Sequence, residues 1–174
     1  MHRSEKTPGS KYSNYYNVPS GSTFALPTSS NAWVNENTNQ VYNRSGTNGA
    51  LYSWYSATAG TNPESGDSAY DICPKGWRLP TAAEYQAIND NYGYTGRAYG
   101  YTGEALVASY AKLQYSGNCR SGECPDEVGS NGSYWSSTAD SSAFAVDLYF
   151  GSRFASMDVE SKYYGSSVRC VFGS

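Results

Sequence analysis

Apolar residues recur at every second position from Phe144 onward: Phe144, Val146, Leu148 and Phe150 alternate with Ala145, Asp147 and Tyr149. A period of two is the mark of a strand with one buried face. Gly151-Ser152 then suits a turn, after which Ala155, Met157 and Val159 alternate with Phe154, Ser156 and Asp158. The pattern predicts a hairpin with the first set of each strand packed inward. Asp147, Tyr149, Phe154, Ser156 and Asp158 are left on the other side. Residues Glu160 to Tyr164 read as a loop, and Ser166 to Phe172 as a closing strand.

Helical signals lie upstream. Pro80-Thr81 is followed three residues later by Glu84, so Thr81 can cap an open amide while Glu84 reaches back in a capping box. Ala82, Tyr85 and Ile88 form an apolar stripe, and Gly93 suits the helix end. A second helix is predicted from Gly103 to Gln114, with Thr102 as cap and Leu106, Val107, Tyr110 and Leu113 on one face. Short apolar pieces between Val18 and Val41 alternate with Pro, Ser and Asn turns, the pattern of short strands and long loops. Gly49 to Tyr55 carries aromatics that read as core, and Gly60, Asn62, Pro63 and Gly66 enforce a loop. Residues 1–17 read as a flexible arm and residues 18–174 as one domain. Two helices on a strand-rich chain predict the α+β class.

Composition sharpens this reading. Tyr and Gly reach 18 copies each while charged residues are only 16% of the 174. Tyr, Ser, Gly and Asn are the palette of antibody-like contact surfaces, although Tyr is also an ordinary strand former. A net charge of −3 leaves no basic track for phosphates, so nucleic acid is not an expected partner. There is no run of eighteen apolar residues and no apolar segment of signal-peptide type in Met1 to Tyr15, so a soluble chain without membrane insertion is expected.

Four cysteines allow three pairings. Cys73 with Cys170 and Cys119 with Cys124 is the favoured set, the second pair closing the turn-rich loop Arg120-Ser121-Gly122-Glu123. Such bonds imply an oxidising compartment, a cell or virion surface or the extracellular space. A four-thiolate zinc site competes, but Cys73 and Cys170 each stand alone, without the usual close pairs. Free thiols in a cytosolic chain are the third reading.

Four blocks carry a family resemblance: Gly49 to Tyr55, Ile72 to Thr81, Tyr134-Trp135-Ser136-Ser137-Thr138, and Ser167-Val168-Arg169-Cys170-Val171. Together they resemble the Fibrobacter succinogenes major paralogous domains and the variable proteins of diversity-generating retroelements. The resemblance implies a C-type lectin-like fold, two helices with a small antiparallel sheet and long loops, and a variable-type region over residues 134–171. It places Trp135, Ala145, Leu148, Phe150, Gly165, Val168, Arg169 and Cys170 on frame positions. Asp147, Tyr149, Arg153, Phe154, Ser156, Asp158, Glu160, Lys162 and Tyr163 fall on or near diversified, ligand-binding positions. Phe144 and Val146 do so too, but alternation puts them inward.

Catalytic chemistry is sparse. The single histidine, His2, lies in the arm, which removes the usual Ser-His-Asp or Cys-His base. Asp126-Glu127 reads as a solvated loop, and the Gly-rich stretch from Gly93 to Gly103 lacks the flanks of a phosphate cradle. Calcium-dependent lectins use Glu-Pro-Asn and Trp-Asn-Asp triplets. Here Asn62-Pro63-Glu64 is reversed and Ser136-Ser137 follows Trp135. Calcium held elsewhere by loop oxygens stays open. Formylglycine-generating enzymes share a related fold but need reactive thiols. The expectation is therefore a non-enzymatic, cofactor-free protein binding a protein or cell-surface ligand, as in attachment by a virus, phage or microbe. A surface-display module without a dedicated ligand is the alternative.

Overall fold

The computed structural model describes residues 41–42, 49–91, 112–120 and 123–173. In chain order the elements are β1 (Val41–Tyr42), β2 (Leu51–Tyr52), α1 (Trp54–Ala57), β3 (Gly66–Asp67), β4 (Trp77–Arg78) and α2 (Ala82–Asn91). They continue with β5 (Asn118–Arg120), β6 (Glu123–Asp126), β7 (Asn131–Ala139), β8 (Phe144–Gly151), β9 (Phe154–Ser161) and β10 (Val171–Phe172). One four-stranded antiparallel sheet, in the order β3-β7-β8-β9, dominates, and three strand pairs, β1-β2, β4-β10 and β5-β6, surround it.

The described residues are mainly β, which corrects the α+β, lectin-like expectation of two helices and a small sheet. The described helices span only four and ten residues. The second helix expected at Gly103 to Gln114 lies outside the described residues up to position 111. Lys112 to Gln114 are irregular, with Lys112 at φ 48°. The arm at 1–17 and the short strands expected before Val41 also lie outside the described residues. Between Asn118 and Ser161 the strand positions Phe144, Val146, Tyr149, Phe150, Phe154 and Val159 are β-branched or aromatic, which fit a pleated surface, and the ten Ser and four Gly there are poor helix formers.

α2 forms where the capping signal is strongest. The Thr81 amide donates to Glu84 Oε2 at 2.9 Å and the Glu84 amide to Thr81 Oγ1 at 3.2 Å, a reciprocal box. Arg78 grips both Glu84 oxygens at 2.7 Å. That bond, opposed by partial burial and helped by the Thr81 amide, holds the carboxyl down at about 2. Tyr85 and Asn89 form the buried side of the helix, which packs over β7, β8 and β9.

The hairpin forms as its periodicity predicts, with Gly151 opposite Phe154 across the turn and Phe144 opposite Ser161 at the far end. The sorting of its faces is different. Tyr134, Leu148, Phe150 and Ala155 pack with Tyr85 and Leu113 beneath α2. Farther from the hairpin turn the same face opens, leaving Phe144 46% and Val159 50% exposed. The opposite face is not a solvent face either. Trp135 and Ala145 join Trp54, Ala57, Cys73, Leu79 and Ala139 in a second core. The sheet thus separates two apolar clusters, and full burial of a side chain such as Leu148 or Phe150 contributes about 2 to 3 kcal/mol.

Trp54 and Trp135 tie the second core together: the Trp54 indole donates to Ser136 O at 2.9 Å and that of Trp135 to Tyr52 O at 2.8 Å. Two disulfides are present. Cys73–Cys170 spans 97 residues beside the β4-β10 pair, and Cys119–Cys124 closes the β5-β6 hairpin. The expected closing strand is shorter than its pattern: Gly165, Ser166 and Ser167 make isolated bridges to Cys119, Tyr52 and Tyr134, and regular pairing resumes only at Val171. The expected loop at Glu160 to Tyr164 begins later, because β9 runs to Ser161.

Candidate functional face

Cross-strand register brings most of the candidate residues to one face. Asp147 lies opposite Asp158, Tyr149 opposite Ser156, and Ala145 opposite Glu160. Side chains directly opposite in an antiparallel pair share a face. Phe154 folds over Tyr149, with ring centres 5.3 Å apart and planes tilted by 51°. A Cβ at Gly151 would lie 2.5 Å from Phe154 Cε1, so glycine there makes room for the ring.

Residues outside the hairpin fix Tyr149 from its other side. The Arg120 guanidinium sits 5.6 Å from the Tyr149 ring centre and 6.0 Å from that of Tyr164, and it bonds Glu160 Oε1 at 2.7 Å. The Tyr149 hydroxyl donates to Glu127 Oε2 at 2.9 Å and accepts from Asn131 Nδ2 at 3.0 Å. Asn118 Nδ2 donates to the same Glu127 oxygen at 3.0 Å. Burial, then the hydrogen bond to Glu127 and its charge, push the phenol up to about 12. Tyr149 is therefore half-buried with its orientation set by four neighbours, while Phe154 stays 37% exposed and Arg153 is exposed in the turn.

Two candidates turn inward. Asp147 is 1% exposed. Its Oδ2 accepts a short hydrogen bond from the Ser133 hydroxyl, which also meets Ser166 Oγ at 2.6 Å, and its Oδ1 has no partner. Burial pushes this carboxyl up to about 8 against the Ser133 bond, with the nearby Glu160 and Asp158 charges adding to the rise and Arg120 opposing it. Asp147 is covered because the face that alternation assigns to solvent is overlaid by the Trp54 and Trp135 core.

Lys162 leaves the end of β9 and is fully buried, its ammonium 4.4 Å from the Trp54 ring centre and bonded to Asn62 Oδ1 at 2.7 Å and Pro63 O at 3.0 Å. Burial lowers its pKa to about 8. Tyr163 stacks on Tyr55 at 6.1 Å. Both are drawn toward α1 and do not join Tyr149. The residues brought together are Tyr149, Phe154, Ser156, Asp158 and Glu160, with Arg153 at the turn and Asp147 behind them.

Arg120, Glu127, Asn118 and Asn131 escaped the periodicity argument. Their only signal is the Cys119–Cys124 pair, which marks a hairpin but not the surface it rests on. Cys119 exchanges both backbone bonds with Gly165 at 2.8 Å, and this docks Arg120 against Tyr149.

Among the described residues no group of three or more His, Cys, Asp or Glu could hold a metal ion, and no helix is long and apolar enough to cross a membrane. All four cysteines are in disulfides. No family model, curated protein or solved structure matches the chain.

Proposed function

We propose that this chain is a binding protein that holds a protein or cell-surface ligand on the β8-β9 face, with Tyr149 and Phe154 as aromatic anchors and Arg153, Asp158 and Glu160 setting charge complementarity. The observation that carries this reading is the Tyr149-Phe154 pair, partly exposed yet oriented by Arg120, Glu127 and Asn131. Aromatic side chains with few rotatable bonds, held in place before the ligand arrives, give contact area at small entropic cost. The two disulfides brace the frame on which that face sits. The sequence resemblance to variable proteins of diversity-generating retroelements supplies the ligand class and an attachment role at a virion or cell surface.

The test is a screen of the chain against an array of extracellular protein domains, followed by Tyr149→Ala/Phe154→Ala against any hit. Capture is lost in the double variant while its far-ultraviolet circular dichroism spectrum stays unchanged. Equal capture by both proteins would sink the assignment of this face. A neighbouring reverse transcriptase gene with a repeat of the segment coding for Tyr134 to Val171 would support the diversified role, and its absence would count against it.

A further inference from the structure

β9 is the edge of the main sheet, and its hydrogen-bonding parity can be read directly. The Lys162 amide donates to Ala143 O at 3.0 Å just beyond the hairpin, so the pairs in step with it, Ala145 with Glu160 through Gly151 with Phe154, point their backbone groups at each other. The alternate residues of β9, namely Ala155, Met157, Val159 and Ser161, point theirs away from β8. Two of these are covered: Asn89 Nδ2 of α2 donates to Ala155 O at 3.5 Å, and Ser161 O accepts from the Tyr164 amide at 2.9 Å. Met157 and Val159 have no such partner among the described residues, and neither Lys nor Pro blunts the strand.

The side chains around this gap differ between faces. On one face Asp158 has no ion-pair partner among the described residues, next to Glu160, whose charge is shared with Arg120. On the other, Val159 and Phe144 are exposed and Met157 is half-buried. A strand added here places successive side chains alternately over the acidic and the apolar face.

We propose that the edge of β9, unpaired among the described residues, accepts an extended peptide strand, alternately basic and apolar, through the backbone of Met157 and Val159. This goes beyond the aromatic face, since recognition there is by side chains and here by main chain.

The probe is the capped hexapeptide Lys-Val-Lys-Val-Lys-Val, compared with its fully N-methylated counterpart of equal charge. The plain peptide binds, raises amide-exchange protection at Met157 and Val159, and loses about tenfold or more in affinity on N-methylation, as expected when backbone bonds carry the contact. Val159→Pro, which removes one outward donor, weakens it similarly in a protein that still melts cooperatively. If that variant does not fold, the two peptides on the unmodified protein decide. Equal binding of both peptides, binding of neither, or a concentration-dependent dimer that protects the same amides without peptide would each overturn the proposal.

Discussion

Asp147 faces Asp158 across the β8-β9 ladder, two carboxyls side by side with the first enclosed by protein. Burial and like charge both favour the protonated form of Asp147, whose pKa rises from 3.8 to about 8. A folded state that keeps a proton the unfolded chain releases loses stability as pH rises between those values, because the unfolded state binds fewer protons throughout that window. The contribution is present below about pH 4 and is lost by about pH 8. Thermal midpoints measured across this window should fall in the wild type and flatten in Asp147→Asn. Relative to wild type, the variant should gain about 1 to 3 kcal/mol on the alkaline side, where it avoids an unpartnered buried charge. Parallel pH profiles for the two proteins would refute the assignment.

Tyr149→Phe removes one hydroxyl that both donates and accepts. A cost of about 1 kcal/mol is expected from chemical denaturation, with the ring pair intact. The phenol itself should titrate far above the ordinary tyrosine range, observable as a late step in ultraviolet absorbance of the wild type that is missing in the variant.

The two disulfides should differ in weight. Removing Cys73–Cys170 by paired serine substitution frees a loop of 97 residues, worth about 4 to 5 kcal/mol in the loop-entropy model, against about 2 kcal/mol for the short Cys119–Cys124 loop. The smaller loss should nonetheless loosen Arg120 from Tyr149, read as a change in near-ultraviolet circular dichroism. Equal denaturation midpoints for the two double variants would contradict this order.

Thr81→Ala should destabilise the protein by about 1 kcal/mol and Thr81→Ser by much less, since only the capping oxygen matters. Gly132→Ala should cost about 1 to 3 kcal/mol as overpacking. Its new Cβ would lie 2.5 Å from both Gln114 O and Phe150 Cζ. Urea unfolding of the two single variants checks both.

How much of this was legible in the sequence follows the range of each interaction. The capping box, the hairpin and its turn are local patterns, and Thr81, Glu84 and Gly151 sit where their spacing puts them. The disulfide partners could be ranked because loop composition and isolation of Cys73 and Cys170 bear on pairing. What alternation could not reveal is that β8 is covered on both faces at Asp147 and Leu148. A strand covered on both sides has no solvent side to give its polar positions, so Asp147 reads as outward in sequence and is buried in space. Lys162 is hidden for a similar reason, its partners Asn62 and Pro63 lying about a hundred residues earlier. The α+β assignment overweighted two helical signals against many short strands, of which β3, β4 and β10 are two residues each and carry no periodicity.

Gly165 accepts from and donates to Cys119 just after the chain leaves β9. The hairpin that carries Arg120 is thus moored to the exit of the very strand that bears Phe154 and Glu160. Substitutions confined to outward side chains of β9 leave that mooring untouched, whereas an insertion or deletion between Ser161 and Gly165 would shift Arg120 and Tyr149 out of alignment. The face can therefore vary freely in chemistry only so long as the chain keeps its length there.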